Sequence, residues 1–123
     1  MTIQESIAKA DTLSPNQYSD EQKIGWLSSL DGKIYHEVIR THEGACLAFF
    51  PPEGYDADDY ELIVRPPYAE DLYVYYLLSR IAEMNAETAK YNQYAARYNA
   101  AYNEWTGWFN RTHRPVSRGR WML

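Results

Sequence analysis

Apolar residues recur at helical spacing along most of this chain. Thr2-Ile3-Gln4-Glu5 has the form of a capping box, in which a hydroxyl and a glutamate three residues later satisfy each other's backbone N–H groups. Ile3, Ile7 and Ala10 then give a short first helix an apolar edge. Asp11 to Asn16, with Pro15, reads as a connector. Ser19-Asp20-Glu21-Gln22 forms a second capping box, and Ile24, Leu27, Leu30, Ile34, Val38 and His42 follow at spacings of three or four. Asp31-Gly32 interrupts that pattern, and a glycine inside a helix costs about 1 kcal/mol relative to alanine. The pattern predicts one helix from about 20 to 42, with two shorter helices as the alternative.

Residues 43–67 break the periodicity. Gly44, Pro51-Pro52, Gly54 and Pro66-Pro67 punctuate them, and Ala45 to Phe50 and Leu62 to Val64 are short apolar runs compatible with extended chain. Between the runs, Glu53, Asp56, Asp58, Asp59 and Glu61 form an acidic loop, long for so small a domain and therefore a candidate for function.

Pro66-Pro67 prepares a helix start, with Glu70 and Asp71 in the first turn where the helix dipole favours acids. Leu72 to Leu78 is apolar on every side, as in a helix surrounded by protein. No proline occurs from Tyr68 to Thr112, and the only glycine there is Gly107. A continuous helix of that length would span about 67 Å. A domain of this size has a radius of gyration of about 14 Å. A turn between Asn85 and Asn92, giving a helical hairpin, is the favoured solution; a helix projecting into a larger assembly is the other.

The second arm of the hairpin carries the most distinctive pattern. At 100° per residue, Tyr91, Tyr94, Tyr98, Tyr102, Trp105, Trp108 and Phe109 fall within about 140° of arc, while Asn92, Gln93, Arg97, Asn99, Asn103 and Glu104 lie outside it. Phenols and indoles combine an apolar body with a polar tip, which favours them where one protein meets another. The stripe points to a helical interaction protein rather than an enzyme; a tyrosine-rich monomer core fits it as well. Ala89, Ala96, Ala100 and Gly107 share the opposite face, where small side chains permit close approach of another backbone or simply favour the helix.

A chain of 123 residues suits one domain with one modest core. No stretch approaches the roughly 18 apolar residues of a membrane span, and residues 1–10 lack the apolar segment of a signal peptide. The single cysteine, Cys46, excludes an internal disulfide and fits a reducing compartment. The net charge of −5 is uneven: residues 1–110 hold 8 basic and 17 acidic side chains, a net of −9, whereas residues 111–123 hold Arg111, Arg114, Arg118 and Arg120 and no acid. An acidic body repels nucleic acid at long range. The arginines suit phosphate or an acidic protein surface.

Catalytic signatures are sparse. His36 and His42 sit six residues apart, about 120° around a helix, and do not share a face as the zinc-protease motif requires. The acidic loop lacks the glycine and distal glutamate of a calcium loop. A Cys46–His42 nucleophile is conceivable from spacing, but an unreactive buried cysteine is the favoured reading. Neither a metal nor a cofactor is expected.

Three stretches carry a resemblance: Asp20-Glu21-Gln22-Lys23-Ile24-Gly25-Trp26-Leu27, Leu72-Tyr73-Val74-Tyr75-Tyr76-Leu77, and Tyr98-Asn99-Ala100-Ala101-Tyr102-Asn103 through Trp108-Phe109-Asn110-Arg111-Thr112-His113-Arg114-Pro115. They resemble small proteins encoded in the head-morphogenesis region of long-tailed bacteriophages and prophages of Gram-positive bacteria, the head–tail connector (adaptor) proteins. The resemblance rests on scattered aromatics and no catalytic signature. It implies a helical bundle assembling as a ring, usually of twelve copies in the virion neck, built in the host cytoplasm. The ring would sit beneath the portal and above stopper or tail proteins, with genomic DNA passing through its bore. It also implies that the C-terminal segment, with Arg114, Arg118, Arg120, Trp121, Met122 and Leu123, reaches the portal. The acidic loop is then a candidate contact to the next ring.

The expected fold is therefore all-α: a small helical bundle with a long hairpin, a helical body over residues 1–113 containing the loop 43–67, and a C-terminal tail over 114–123. A DNA-binding accessory of packaging, using the arginines, and a small hydrolase, using the acidic loop or Cys46, are the competing functional expectations.

Overall fold

Each helix start follows from local chemistry. The computed structural model describes residues 1–39 and 60–112, and four helices make up most of them. Helix α1 spans Ile3–Leu13; Thr2 accepts a hydrogen bond from the Glu5 N–H while Glu5 accepts from the Thr2 N–H, which is the reciprocal cap that the sequence predicts. Helix α2 spans Asp20–Glu37, and the Ser19 hydroxyl caps it by accepting from the Gln22 N–H. Helices α3, Ala69–Met84, and α4, Thr88–Thr112, form the predicted hairpin. Helix α3 begins soon after Pro66-Pro67, with Glu70 and Asp71 in its first turn.

Helix α2 runs unbroken through Asp31-Gly32, as the single-helix reading expects, and Asp31 lies on its core face, held by partners described below. One bound needs correction: the helix stops at Glu37, short of residue 42, with Val38 as its cap. Val38 and Ile39 are consecutive β-branched residues, poor helix formers, and both pack against the core. One antiparallel bridge, Thr2 with Glu61, precedes the apolar run Leu62 to Val64, which bends at Ile63 and Val64, and there is no strand among the described residues. The Ile3 N–H donates to the Tyr60 carbonyl at 3.2 Å and the Leu62 N–H to the Met1 carbonyl at 3.0 Å.

The hairpin turn is a Schellman motif. The Glu87 N–H donates to the Ala82 carbonyl at 2.9 Å and the Ala86 N–H to the Glu83 carbonyl at 3.1 Å. Ala86 sits at φ 58°, the left-handed region where glycine is usual.

Helix α3 packs against all three other helices. Leu72, Leu77, Leu78 and Ile81 are fully or nearly fully buried, as the all-round apolar sequence requires. Trp26 meets Arg80 and Asp31 meets Tyr73, so α2 runs opposite to α3. Lys9 pairs with Glu70, and residues 60–62 bind the start of α1, so α1 runs alongside α3 in the same direction. The starts of α1 and α3 and the ends of α2 and α4 therefore share one end of the bundle.

A buried polar node holds this end together. The Tyr73 hydroxyl donates to Asp31 Oδ1 at 2.6 Å and accepts from the Val64 N–H at 2.9 Å; the Ile63 N–H donates to Asp31 Oδ2 at 2.9 Å. Asp31 and Tyr73 are both fully buried. Burial raises the Asp31 pKa to about 6, against the opposing pull of the Tyr73 and Ile63 hydrogen bonds and of Arg65. Tyr73 is raised well above its ordinary range and Tyr60 to about 12, in both cases first by burial and then by the Asp31 charge.

Two outcomes follow from these contacts. Ala86→Gly removes the cost of a side chain at positive φ and raises stability by about 1 kcal/mol, read by urea denaturation. The second concerns pH. An acid whose pKa rises on folding holds its proton more tightly in the folded state, so its contribution is full below the unfolded value of 3.8 and is lost as pH climbs to about 6. The stability of the wild type relative to Asp31→Asn therefore falls by up to about 3 kcal/mol between pH 4 and 7. Equal pH profiles for the two proteins are the contrary result.

Candidate interaction surface

The tyrosine stripe of α4 is first a seam. Tyr94 stacks on Tyr75 with centroids 6.2 Å apart, Tyr98 meets Tyr76 at 5.3 Å, and Trp108 meets Tyr68 at 5.8 Å. Along α4 itself, Tyr98, Tyr102, Trp105 and Phe109 form a continuous row at 5.3–6.1 Å. Such tilted and stacked pairs add roughly 0.5–1.5 kcal/mol each beyond the area they bury. Trp105 and Phe109 are buried; Tyr91, Tyr94, Tyr98 and Tyr102 are half-buried; Trp108 is 36 % exposed. Most of the aromatic area thus serves the monomer's own core, and what reaches solvent is the phenol edges and Trp108.

Burial pushes Tyr98 above its ordinary range, with Tyr102, Tyr76 and Glu37 adding to it, and burial followed by Glu37 does the same for Tyr102. Both phenols therefore hold their protons more tightly than a free tyrosine. Arg97 lies over the Tyr75 ring at 5.4 Å and approaches its hydroxyl at 3.4 Å, placing a cation beside the seam.

Helix α4 is about 37 Å long and α3 about 24 Å. Only Ala101, Trp105 and Phe109 of its 25 residues are buried. Ala89, Ala96 and Ala100 on the opposite side are exposed and Gly107 is half-buried, so the small-residue face is turned outward. The helix offers a long surface of small and polar groups.

Of the acidic-loop candidates, Glu61 lies within the described residues, where it pairs with the Met1 amino group and with Arg65 at 3.3 Å. Glu53, Asp56, Asp58 and Asp59 lie outside them, as do His42, Cys46 and the tail residues Arg114, Arg118, Arg120, Trp121, Met122 and Leu123. The described residues that flank these segments, 39, 60 and 112, all sit at the end of the bundle where α2 and α4 finish and α1 and α3 begin.

Sequence reasoning missed three features. The first is the role of Asp31 as a core partner of Tyr73 and Ile63. Lys23 is 2 % exposed, with its ammonium 2.7 Å from Asp11, which also accepts from the Asn16 amide at 3.0 Å. Both lie on the face of α2 that carries Leu27, Leu30 and Ile34, and a charged residue in an apolar row was the available signal. The third is a groove of about 370 Å³ between α1 and α3, lined by Ala8, Lys9, Thr12, Leu13, Glu70, Asp71, Val74 and Tyr75. It needs two helices and cannot be read from either.

Among the described residues, no three His, Cys, Asp or Glu side chains converge to hold a metal, and no helix is long and apolar enough to cross a membrane. Comparison with protein-family models, curated proteins and solved structures finds no match to this chain.

The packing separates two tryptophans three residues apart. Trp105→Ala is expected to cost about 3–5 kcal/mol in chemical denaturation, as for other buried aromatic truncations. Trp108→Ala is expected to cost about 1 kcal/mol or less. Similar losses at both positions would mean that Trp108 is also a core residue.

Proposed function

We propose that this chain is a structural subunit of a phage head–tail connector, a ring in the virion neck that sits beneath the portal and above stopper or tail proteins, with genomic DNA passing through its bore. The observation that carries the proposal is that the described residues flanking both chemistry-bearing segments, 39, 60 and 112, lie at one end of a helical body, with the α3–α4 turn at the other. The two ends of the body therefore differ in chemistry, as they must in a subunit that sits between two unlike neighbours along an axis.

The side of the body suits the other requirement. Ring contacts between identical subunits are heterologous, so two unlike faces must meet. The outward row of Ala89, Ala96 and Ala100 is one such face, and Trp108 with the phenol edges is a second of different chemistry. The acidic body, net −9 over residues 1–110, favours passage of DNA without adhesion. The tail combines Arg114, Arg118 and Arg120 with Trp121, Met122 and Leu123, residue types that anchor protein interfaces.

Co-assembly tests this reading. The purified chain is mixed with the portal encoded in the same genome region and imaged by negative stain, in parallel with a chain ending at His113, just past α4. An extra ring layer under the portal, lost on truncation, is expected. Intact portal rings without that layer would overturn the connector reading. Salt-sensitive DNA binding that disappears with the tail would replace it with a packaging accessory.

A further inference from the structure

The groove between α1 and α3 is unlike the rest of the described surface. Its floor and walls include Ala8, Leu13, Val74 and Tyr75, and Leu13 is the most exposed large apolar side chain among the described residues, at 64 %. Its rim carries Glu70, bridged to Lys9, and Asp71, which makes no ion pair among the described residues. An open apolar slot beside an uncompensated carboxylate selects a ligand with large apolar groups next to a cation.

We propose that residues 118–123 of the same chain occupy this groove. The match is chemical: Arg118 and Arg120 complement Asp71 and Glu70, and Trp121, Met122 and Leu123 supply the apolar groups. The volume, about 370 Å³, is near the lower limit of pockets that enclose a small ligand, roughly 300 Å³. The reach is short. Helix α4 ends at Thr112, Trp108 one turn earlier lies 5.8 Å from Tyr68, and Tyr68 directly precedes the first turn of α3, where the groove opens. Residues 113–117 span up to about 17 Å when extended. A tether this short gives a millimolar effective concentration, which favours the chain's own groove over that of another copy. The inference concerns the free chain and stands without the connector reading; in a ring, a tail that docks on the portal would have to leave the groove first.

Amide chemical shifts of the full chain and of the chain ending at His113 test it. Truncation is expected to shift signals of Ala8–Leu13 and Glu70–Tyr75 and few others, with the full chain monomeric at every concentration used. A synthetic peptide of residues 114–123 added to the truncated chain is expected to restore those shifts, and Asp71→Asn to weaken the peptide by about threefold. Unchanged groove signals on truncation would overturn the proposal. Groove shifts that vanish on dilution, together with a dimer mass, would overturn it in favour of a second copy as the occupant.

Discussion

The tertiary structure depends on one buried exchange of hydrogen bonds. Asp31 on α2, Tyr73 on α3 and the backbone N–H groups of Ile63 and Val64 satisfy one another directly. Burying a carboxylate, a phenol and two peptide groups is costly unless each finds a partner. Here each does, and the geometry admits one register of residues 60–64 against the two helices. That register in turn sets the bridge between Thr2 and Glu61 and the hydrogen bonds of Tyr60 and Leu62 with the N-terminal segment, and so where α1 lies. Hydrophobic contacts alone tolerate sliding; a fully satisfied polar node does not.

The hairpin of α3 and α4 answers a different problem. Helix α4 is tyrosine-rich, and a tyrosine is half a core residue. Tyr94 stacks on Tyr75 and Tyr98 lies tilted against Tyr76, and both rings are half-buried. The helix is thereby anchored along one side, and the rest of its circumference stays free. A helix fastened in this way can present a long surface without unfolding to do so, which is what a laterally associating subunit requires. The same economy explains why an aromatic stripe is ambiguous in a sequence: identical periodicity serves a core seam and an interface, and the difference is whether another helix of the same chain lies against it.

The reading of function follows the placement of segments rather than any reactive group. The buried charged groups are committed to structure: Asp31 to the Ile63 amide and the Tyr73 phenol, Lys23 to Asp11. The raised pKa values of Asp31, Tyr98 and Tyr102 have the same first cause, desolvation by packing, and need no catalytic explanation.

Much was legible in the residues themselves. Thr2 and Ser19 announced their helices because caps are local, settled by side chains within three residues of the backbone they serve. The absence of proline from 68 to 112, set against the size of the domain, required a turn, and the apolar run Leu72–Leu78 named the central helix. What escaped was non-local. The core role of Asp31 was not visible because its partners are Tyr73 and Ile63, distant in the chain. Helix α2 ended before residue 42 because Val38 and Ile39 are drawn into a core that only exists once α3 is in place. The turn falls within the expected stretch, but that Ala86 would take its left-handed position is not written in the local residues. Periodicity and capping are written in consecutive residues; pairing of buried polar groups and the groove between α1 and α3 arise only when separate segments meet.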